Sequence, residues 1–325
     1  MIETVGLRKS YRDRKRRETT TVDAVRGVDL SVAEGEIFGF LGPNGAGKTT
    51  TLRMLATLLA PDGGTATIAG ADLLRDPGEV RRRIGYVAQG GGTWDEATAE
   101  EELILQARFY GASKVEAGKA AAAAIESFDL GDFAQRPCKT YSGGQRRRLD
   151  VALGIIHAPK LVFLDEPTTG LDPQSRANMW DEIRRLRAEG LTVFLTTHYL
   201  DEADALCDRV AIIDQGQIVA EGTPAALKRE ISGDAVIVGL AGSDEATGTG
   251  IAEKAASLLA SQPYVLSSDI RDDGALRLYV DSGETAIPAL MRELAGAGME
   301  LSTIELHRPT LDDVFLAKTG KSLRD

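Results

Sequence analysis

A glycine-rich segment constrains the fold of this chain more than any other stretch. Residues 42–50, GPNGAGKTT, match the pattern G-x-x-x-x-G-K-[ST]. In this pattern the glycines let successive backbone N–H groups turn toward an anion, and the lysine and the hydroxyl reach phosphate and Mg²⁺. The apolar run Ile37–Leu41 before the segment predicts a buried strand, and Leu52, Leu55 and Leu59 after it recur at helical spacing. The order of strand, glycine loop and helix therefore predicts a phosphate-binding loop.

The composition of the chain argues against several classes of protein. Its 325 residues carry 38 basic and 49 acidic side chains, and the net charge of −11 argues against a general affinity for nucleic-acid backbones. Cys138 and Cys207 have no further ligand at metal-like spacing, so neither a disulfide framework nor a zinc site is expected. Because no apolar run approaches the roughly 18 residues of a membrane span, we expect a soluble chain. The basic segment Arg8–Arg17 is either a solvated loop between strands or a contact for anionic lipid headgroups.

Three apolar segments downstream of the loop end in polar side chains. The segments and the residues that follow them are Ile84–Ala88 with Gln89, Leu161–Leu164 with Asp165 and Glu166, and Thr192–Thr197 with His198. Carboxylates are not expected in an apolar strand unless they are paired or bind a metal. A hydrophobic strand that ends in two acids is the usual partner of a phosphate loop for holding Mg²⁺. The pattern predicts a ligand site at the carboxyl edge of a parallel sheet, and these neighbours give His198 a role that a lone histidine would rarely have.

The stretch between about residues 95 and 145 is helical in pattern, with no strand between its helices. At its end, Tyr141–Gln145 precedes Leu149 and Ile156, which share one face of a helix. The N-terminus of this helix presents unpaired N–H groups and a partial positive charge, so it suits a second contact with an anion. An ordinary N-cap at Ser142 is the alternative interpretation.

The composition shifts after residue 233. The residues from Asp234 onward carry 8 basic and 15 acidic side chains. Their pattern is strand, helix, strand, strand, helix, strand, which is the ferredoxin-like βαββαβ order, and Thr310 is expected to cap a short final helix. No catalytic constellation occurs in this part, so binding or regulation is the more economical interpretation.

Taken together, these segments resemble the nucleotide-binding subunit of an ATP-binding cassette (ABC) transporter. The resemblance covers roughly residues 1–230, and the family motifs occur in order. Residues 42–50 match the Walker A motif, Gln89 the Q-loop, Ser142–Gln145 the signature motif with Tyr141 replacing the commoner leucine, Leu161–Glu166 the Walker B motif, Thr169–Asp172 the D-loop, and His198 the H-loop. Tyr11 lies where the family places its adenine-stacking aromatic residue, and an ordinary aromatic residue at a sheet edge is the alternative interpretation. The segment Arg308–Phe315 resembles the tail of the daunorubicin-resistance type of bacterial ATPase subunits, which act with a separate membrane protein as drug or lipid exporters.

The resemblance implies an α/β fold of the P-loop NTPase class. An ABC-type nucleotide-binding domain would occupy residues 1–230, with a helical subdomain at about 95–145, and a small α+β domain would occupy residues 234–325. The implied activity is hydrolysis of ATP to ADP and phosphate, with ATP and Mg²⁺ as cofactors. This activity would energise the export of a drug-like or lipid-like compound from a bacterium.

The resemblance also assigns roles to individual residues. The catalytic residues would be Lys48, Gln89, Glu166 and His198, with Glu166 polarising the attacking water and His198 orienting water and γ-phosphate. The metal ligands would be Thr49, Gln89 and Asp165. The nucleotide-binding residues would be Tyr11, Gly42, Pro43, Asn44, Gly45, Ala46, Gly47, Lys48, Thr49, Thr50, Ser142, Gly143, Gly144 and Gln145.

The implied partners are an integral membrane permease and a second copy of the chain. Two copies would close head-to-tail around two ATP molecules, on the cytoplasmic face of the membrane, and no nucleic acid would be bound. A soluble ABC ATPase that acts on nucleic acid or the ribosome is the alternative. It is disfavoured because there is one cassette and because Lys48 and Ser142 are only 94 positions apart. A catalytically inactive regulatory cassette is a third possibility, which the full set of motif residues weakens.

Overall fold

A computed structural model describes residues 1–15, 18–231, 233–241, 249–271 and 273–320. The chain forms two compact units that divide between Pro224 and Ala225. The predicted division at residues 230–234 lies one helix later in the chain. No helix among the described residues is both long and apolar enough to cross a membrane.

The first unit combines two sheets with seven helices among its described residues. In chain order the elements are β1 (Ile2–Lys15), β2 (Glu18–Val32), β3 (Ile37–Leu41), α1 (Lys48–Leu55), β4 (Gly63–Ile68), β5 (Ala71–Asp72), α2 (Pro77–Arg83), β6 (Ile84–Val87), α3 (Ala99–Phe109), α4 (Lys114–Ser127), α5 (Gly143–Ile155), β7 (Leu161–Asp165), α6 (Pro173–Ala188), β8 (Thr192–Thr197), α7 (Leu200–Leu206), β9 (Arg209–Asp214) and β10 (Gln217–Gly222). The next helix, α8 (Pro224–Ile231), begins at the division between the units.

The larger sheet has six strands in the order β10-β9-β3-β8-β7-β6. All neighbours from β9 to β6 run parallel, and only β10 is antiparallel. Strands β3, β7 and β8 are buried along their whole length, as expected for a parallel sheet covered on both faces. Because the strands are parallel, the residues that follow β3, β6, β7 and β8 meet at one edge of the sheet.

The smaller sheet is antiparallel, with the order β2-β1-β4-β5. Its long hairpin β1–β2 carries the described part of the basic segment, because β1 continues through Lys15. This part is therefore a strand and not the loop considered above. Arg16 and Arg17 lie outside the described residues.

Two helices, α3 and α4, lie between β6 and α5, in the segment where the sequence pattern is helical. Thr98 and Ser113 are their N-caps, and each forms a reciprocal capping box with a glutamate three residues later. The segment then continues through a short 3₁₀ turn, Cys138–Thr140, to α5.

The second unit contains β11 (Asp234–Leu240), α9 (Thr249–Leu259), β12 (Val265–Ile270), β13 (Leu276–Val280), α10 (Gly283–Gly296), β14 (Leu301–His307) and α11 (Leu311–Thr319). Its sheet has the order β12-β13-β11-β14, with every neighbour antiparallel. Val236, Val238 and Leu278 on the strands are fully buried, as are Leu290 and Leu294 on α10. Thr310 caps α11, as the sequence predicts.

Candidate functional site

The glycine loop connects β3 to α1, as predicted. Gly47 is the N-cap of α1 in a left-handed conformation, with φ of 108°, and no side chain caps the helix. Because glycine has no side chain that could cap the helix, the first-turn N–H groups of α1 meet no side-chain acceptor within the described part of the chain, the arrangement that binds phosphate in loops of this type. A Cβ at Gly42 would collide with the carbonyl oxygen of Ile213, and one at Gly47 with that of Ala24. The loop can follow this path only because both positions lack side chains.

Lys48 lies beneath the loop with only 4% of its surface exposed. Its Nζ donates hydrogen bonds to the carbonyl oxygens of Gly42 (2.6 Å) and Pro43 (3.2 Å), and it lies 3.7 Å from Glu166 Oε1. Burial lowers the pKa of the Lys48 ammonium, and the negative charges of Glu166 and Asp165 oppose this shift. The lysine is thus a buried cation between the phosphate loop and the acidic strand end.

Asp165 and Thr49 bring oxygen ligands together at the end of β7. Thr49 Oγ1 lies 3.3 Å from Asp165 Oδ1, and Thr196 Oγ1 donates to the same carboxylate oxygen at 2.7 Å. A carboxylate and a hydroxyl suit Mg²⁺, which is usually bound through one or two carboxylates together with substrate phosphates and water. Among the residues that the structure describes, no group of three or more His, Cys, Asp or Glu could hold a metal by itself. The donor set therefore fits a magnesium ion that also binds phosphate.

Glu166 has an unusual backbone conformation for a residue with a side chain. Its φ of 46° lies in the left-handed region, which few residues other than glycine adopt. Its N–H lies 3.1 Å from both the carbonyl oxygen and the hydroxyl of Thr196 on β8. The neighbouring strand thus fixes the turn that follows β7, and strain of this kind is concentrated at functional sites.

Four side chains surround the carboxylate of Glu166, which is 8% exposed. Gln89 Nε2 donates to Oε2 at 2.8 Å, and Thr169 Oγ1 donates to the same oxygen at 3.1 Å. His198 Nδ1 and Lys48 Nζ lie 3.4 Å and 3.7 Å from Oε1. The strand ends therefore bring together Gln89, Glu166 and His198, as the sequence analysis predicted.

The phosphate loop, Gln89 and Glu166 line one cavity of about 320 Å³, and His198 and Thr169 are outside its lining. Its lining residues are Ala24, Pro43, Asn44, Gly45, Gly47, Lys48, Thr49, Thr50, Gln89 and Glu166. A larger cavity of about 530 Å³ lies in the second unit, but none of the predicted site residues lines it. The smaller cavity is therefore the candidate site.

Tyr11 does not line this cavity. It lies on β1 opposite Val22, and 43% of its surface is exposed. Ala24, two residues beyond Val22 on β2, does line the cavity. The structure thus places Tyr11 on the hairpin that borders the site without bringing its ring into the cavity lining.

The predicted second anion contact, Ser142–Gln145, does not line this cavity either. Ser142 is exposed and is the N-cap of α5, with a reciprocal capping box to Gln145. Tyr141, which stands before it, donates a 2.8 Å hydrogen bond from its hydroxyl to the carbonyl oxygen of Phe133. The described residues of one chain therefore present the phosphate cradle and the α5 N-terminus as separate surfaces.

A second cavity of about 240 Å³ lies beside Gln89. Its lining includes Val87, Ala88 and Gly91 around Gln89, and Glu102 and Gln106 on α3. Gln89 itself lines the phosphate cavity. This short segment therefore borders both cavities.

Thr196 and Arg147 also contact the site, although neither belongs to the residues predicted from the sequence. Thr196 is one of three threonines on the buried strand β8, and its place opposite Asp165 in the parallel register makes it a partner of the neighbouring acids. Arg147 is buried on α5, and it shares a helix face with Val151 and Gly154, which are also buried. The helical spacing of Arg147, Val151 and Gly154 is the sequence pattern from which the burial of Arg147 could have been predicted.

Comparisons with known proteins agree with these features. A family model described as "ABC transporter" matches residues 25–169, and one described as "ATP-binding protein DrrA1-3-like, C-terminal domain" matches residues 222–319. The daunorubicin/doxorubicin resistance ATP-binding protein DrrA of Streptomyces peucetius is 45% identical over 324 residues, which cover 100% of this chain and 94% of that protein. The linearmycin resistance ATP-binding protein LnrL of Bacillus subtilis is 33% identical over 329 residues, which cover 100% of both.

A solved structure also resembles the chain. The ATP-binding cassette MJ0796, in a dimeric post-hydrolysis state bound to ADP and Pi, superimposes with a TM-score of 0.61 and 27% identity. The match covers 69% of this chain and 98% of that one.

Proposed function

Because the chain belongs to the family of ABC transporter ATP-binding proteins that includes the daunorubicin and doxorubicin resistance subunits, we propose that it drives export by closing in pairs around ATP. It is an ATPase, and it hydrolyses ATP to energise the export of drug or antibiotic compounds. The observation that carries the proposal is the convergence of Gln89 and Glu166 with the phosphate loop in one cavity, while Ser142 lies outside it.

The phosphates of ATP would bind along residues 42–50. The N–H groups at the start of α1 and the Lys48 ammonium supply the positive charge that polyphosphate requires. Thr49, Asp165 and Gln89 would hold Mg²⁺, which when bound neutralises charge on the transferred phosphoryl group. Tyr11, on the hairpin beside the cavity, is proposed to stack on the adenine.

Glu166 would polarise the attacking water. Gln89 and Thr169 donate hydrogen bonds to one of its oxygens, so the other oxygen remains for a water molecule. His198 lies beside that second oxygen, where it can orient water and γ-phosphate. Gln89 would report the presence of γ-phosphate, because its amide contacts the base directly.

The signature residues Ser142–Gln145 are proposed to act on the ATP of a second copy. Their helix has 13 residues, and Ser142 at its N-terminus is exposed. The exposed N-terminus of α5 carries the partial positive charge of the helix, which suits the γ-phosphate, while the Ser142 hydroxyl accepts the N–H of Gln145. The similarity to a dimeric cassette supports the head-to-tail arrangement, in which each cradle faces the partner's α5.

The membrane partner is proposed to be an integral membrane permease that docks at the cavity beside Gln89. Glu102 and Gln106 on α3 line that cavity, and Leu105 and Phe109 on the same helix are exposed. Docking there would place the chain on the cytoplasmic face of the membrane. It would also place the permease next to the residue that contacts Glu166.

We further propose that the second unit has the ferredoxin-like fold and serves binding or regulation. The element order from β11 to β14 and the sheet order β12-β13-β11-β14 support this classification. We propose the boundaries 1–230 for the nucleotide-binding domain and 234–325 for the accessory domain. By contacts within the chain, the division falls earlier, between Pro224 and Ala225, so that α8 groups with the second unit.

Glu166→Gln tests the assignment of the base. The purified variant should bind ATP and dimerise on ATP, while turnover falls by at least about 100-fold, the scale of general-base catalysis. Glu126→Gln, on the exposed surface of α4, is the matched control and should retain full turnover. Undiminished hydrolysis by Glu166→Gln would exclude this role.

Reconstitution with a permease, followed by a search for compounds that raise ATP turnover, tests the export function.

A further inference from the structure

Helix α5 holds the segment that follows Gln89 through side chains on its first two turns. Arg146 donates to the hydroxyl and the carbonyl oxygen of Thr93 at 2.7 Å and 2.8 Å, and it pairs with Asp95 at 2.7 Å. Asp150 accepts a 3.1 Å hydrogen bond from the N–H of Gly92. The helix that carries the signature residues is therefore attached to the Q-loop over several residues.

Arg147 extends this attachment to the catalytic strand end. It is 6% exposed, and its guanidinium donates to three backbone carbonyl oxygens on two different segments. Nη1 donates to Ala88 at 2.6 Å, Nη2 to Asp165 at 3.1 Å, and Nε to Pro167 at 2.8 Å. Ala88 directly precedes Gln89, and Asp165 and Pro167 directly flank Glu166. One side chain thus holds the backbone on both sides of the base and next to its amide partner.

We propose that Arg147 is a positioning residue that couples the signature helix to Glu166 and Gln89. When Ser142–Gln145 of one copy contact the nucleotide bound by the other, Arg147 transmits any shift of α5 to Glu166 of its own chain. The position of Glu166 in each copy would then depend on the nucleotide bound by its partner. The inference rests on the roles proposed above for Glu166, Gln89 and the signature residues.

The chemistry of the site requires an arginine. Three acceptors in different directions match the planar, forked donors of a guanidinium, whereas an ammonium is a compact charge on a flexible stem. Burial lowers the pKa of the Arg147 guanidinium, and the charges of Asp150, Asp165 and Glu202 oppose this shift. Among the residues that the structure describes, no carboxylate forms an ion pair with Arg147, so the three carbonyl dipoles compensate the buried cation.

The test compares Arg147→Lys and Arg147→Met with Arg148→Lys. Arg148 is on the same helix, but it contacts Phe128 and Asp129 instead of the site. For Arg147→Lys we expect kcat to fall by about 100-fold, the effect of a misplacement of about 1 Å at a reacting group, with the Kd for ATP within about twofold of wild type. Arg148→Lys should keep both parameters. If Arg147→Met does not fold, Arg147→Lys decides the question, and thermal unfolding confirms that it is folded.

A double-mutant cycle separates positioning from general stabilisation. Gln89→Ala combined with Arg147→Lys should be no slower than the slower single variant, because both act through the same carboxylate. Gln89→Ala combined with Arg148→Lys should show independent effects. An unchanged kcat in Arg147→Lys, an equal loss of ATP affinity and kcat, or additive effects in the first cycle would overturn the inference. Failure of the proposed function would show separately, as full turnover in Glu166→Gln.

Discussion

Thr196 fixes Asp165 from the neighbouring strand. The two residues are paired in the parallel register of β7 and β8, and the Thr196 hydroxyl donates to Asp165 Oδ1 at 2.7 Å. The same hydroxyl oxygen accepts the N–H of Glu166 at 3.1 Å. One buried hydroxyl thus orients the proposed magnesium ligand and the backbone of the proposed base.

Thr196→Val should lower the apparent affinity for Mg²⁺ more than the affinity for ATP. Valine has nearly the same shape but removes the shorter of the two hydroxyl hydrogen bonds to Asp165 Oδ1 and leaves the longer one from Thr49. Loss of a group that orients a metal ligand typically costs at least about 10-fold in metal affinity. We expect the Mg²⁺ concentration for half-maximal ATPase activity to rise by about that factor. Stability should fall by about 1–3 kcal/mol, measured by denaturant unfolding.

Thr192→Val is the matched control for this prediction. Thr192 is buried on the same strand, and its hydroxyl accepts a 2.9 Å hydrogen bond from Gly35 N–H, at the end of the strand remote from the site. It should lose stability but keep the wild-type Mg²⁺ dependence. If both variants shift the Mg²⁺ midpoint equally, Thr196 has no specific role in the metal site.

Ser142→Arg should abolish turnover and leave ATP binding to a single chain largely intact. The arginine obstructs the N-terminus of α5, whereas the cradle that binds ATP contains no residue of this helix. Equilibrium ATP binding and steady-state hydrolysis check the two parts separately. Ser113→Arg removes an equivalent capping box on α4 and should hydrolyse ATP normally. Lost ATP binding in a folded Ser142→Arg protein would contradict the composite site.

Glu202 should make the stability of the protein depend on pH. It is fully buried, its Oε1 accepts hydrogen bonds from Thr168 and Trp180, and burial raises its pKa above the ordinary value of 4.5. Since the folded state holds this proton more tightly than the unfolded state, stability falls as the pH rises from 4.5 toward the folded pKa.

Glu202→Gln removes this proton and should lessen that decline. Unfolding free energies of both proteins between pH 4.5 and 7 provide the measurement. The advantage of the wild-type protein over the variant is expected to shrink as the pH rises. A difference that is constant over this range would show that Glu202 does not titrate differently in the two states.

The sequence was sufficient to predict the parallel sheet and the side chains at its carboxyl edge. Apolar runs that end in Gln89, Glu166 and His198 can meet only if their strands are parallel and adjacent, and a strand followed by a glycine loop and a helix implies that arrangement. The contacts between Gln89, His198 and Glu166 follow from this rule.

Contacts that depend on the packing of separate elements could not be predicted. Arg147 belongs to a run of three arginines, and only the packing of α5 against the strand ends buries the middle one. The grouping of α8 with the second unit likewise depends on tertiary contacts. The pairing of β1 with β2 through Lys15, which places Tyr11 on a hairpin, was not predicted from the sequence either.

The separation of Ser142 from the phosphate cradle has a consequence for mixtures of defective subunits. If each site takes its cradle from one copy and its α5 N-terminus from the other, two different lesions can fall in the same site. A copy with an altered Glu166 paired with a copy with an altered Ser142 then has one doubly damaged site and one intact site. Such a mixed pair keeps activity that a pair of either defective chain alone lacks. Two defective genes would therefore complement each other when they are expressed in the same cell.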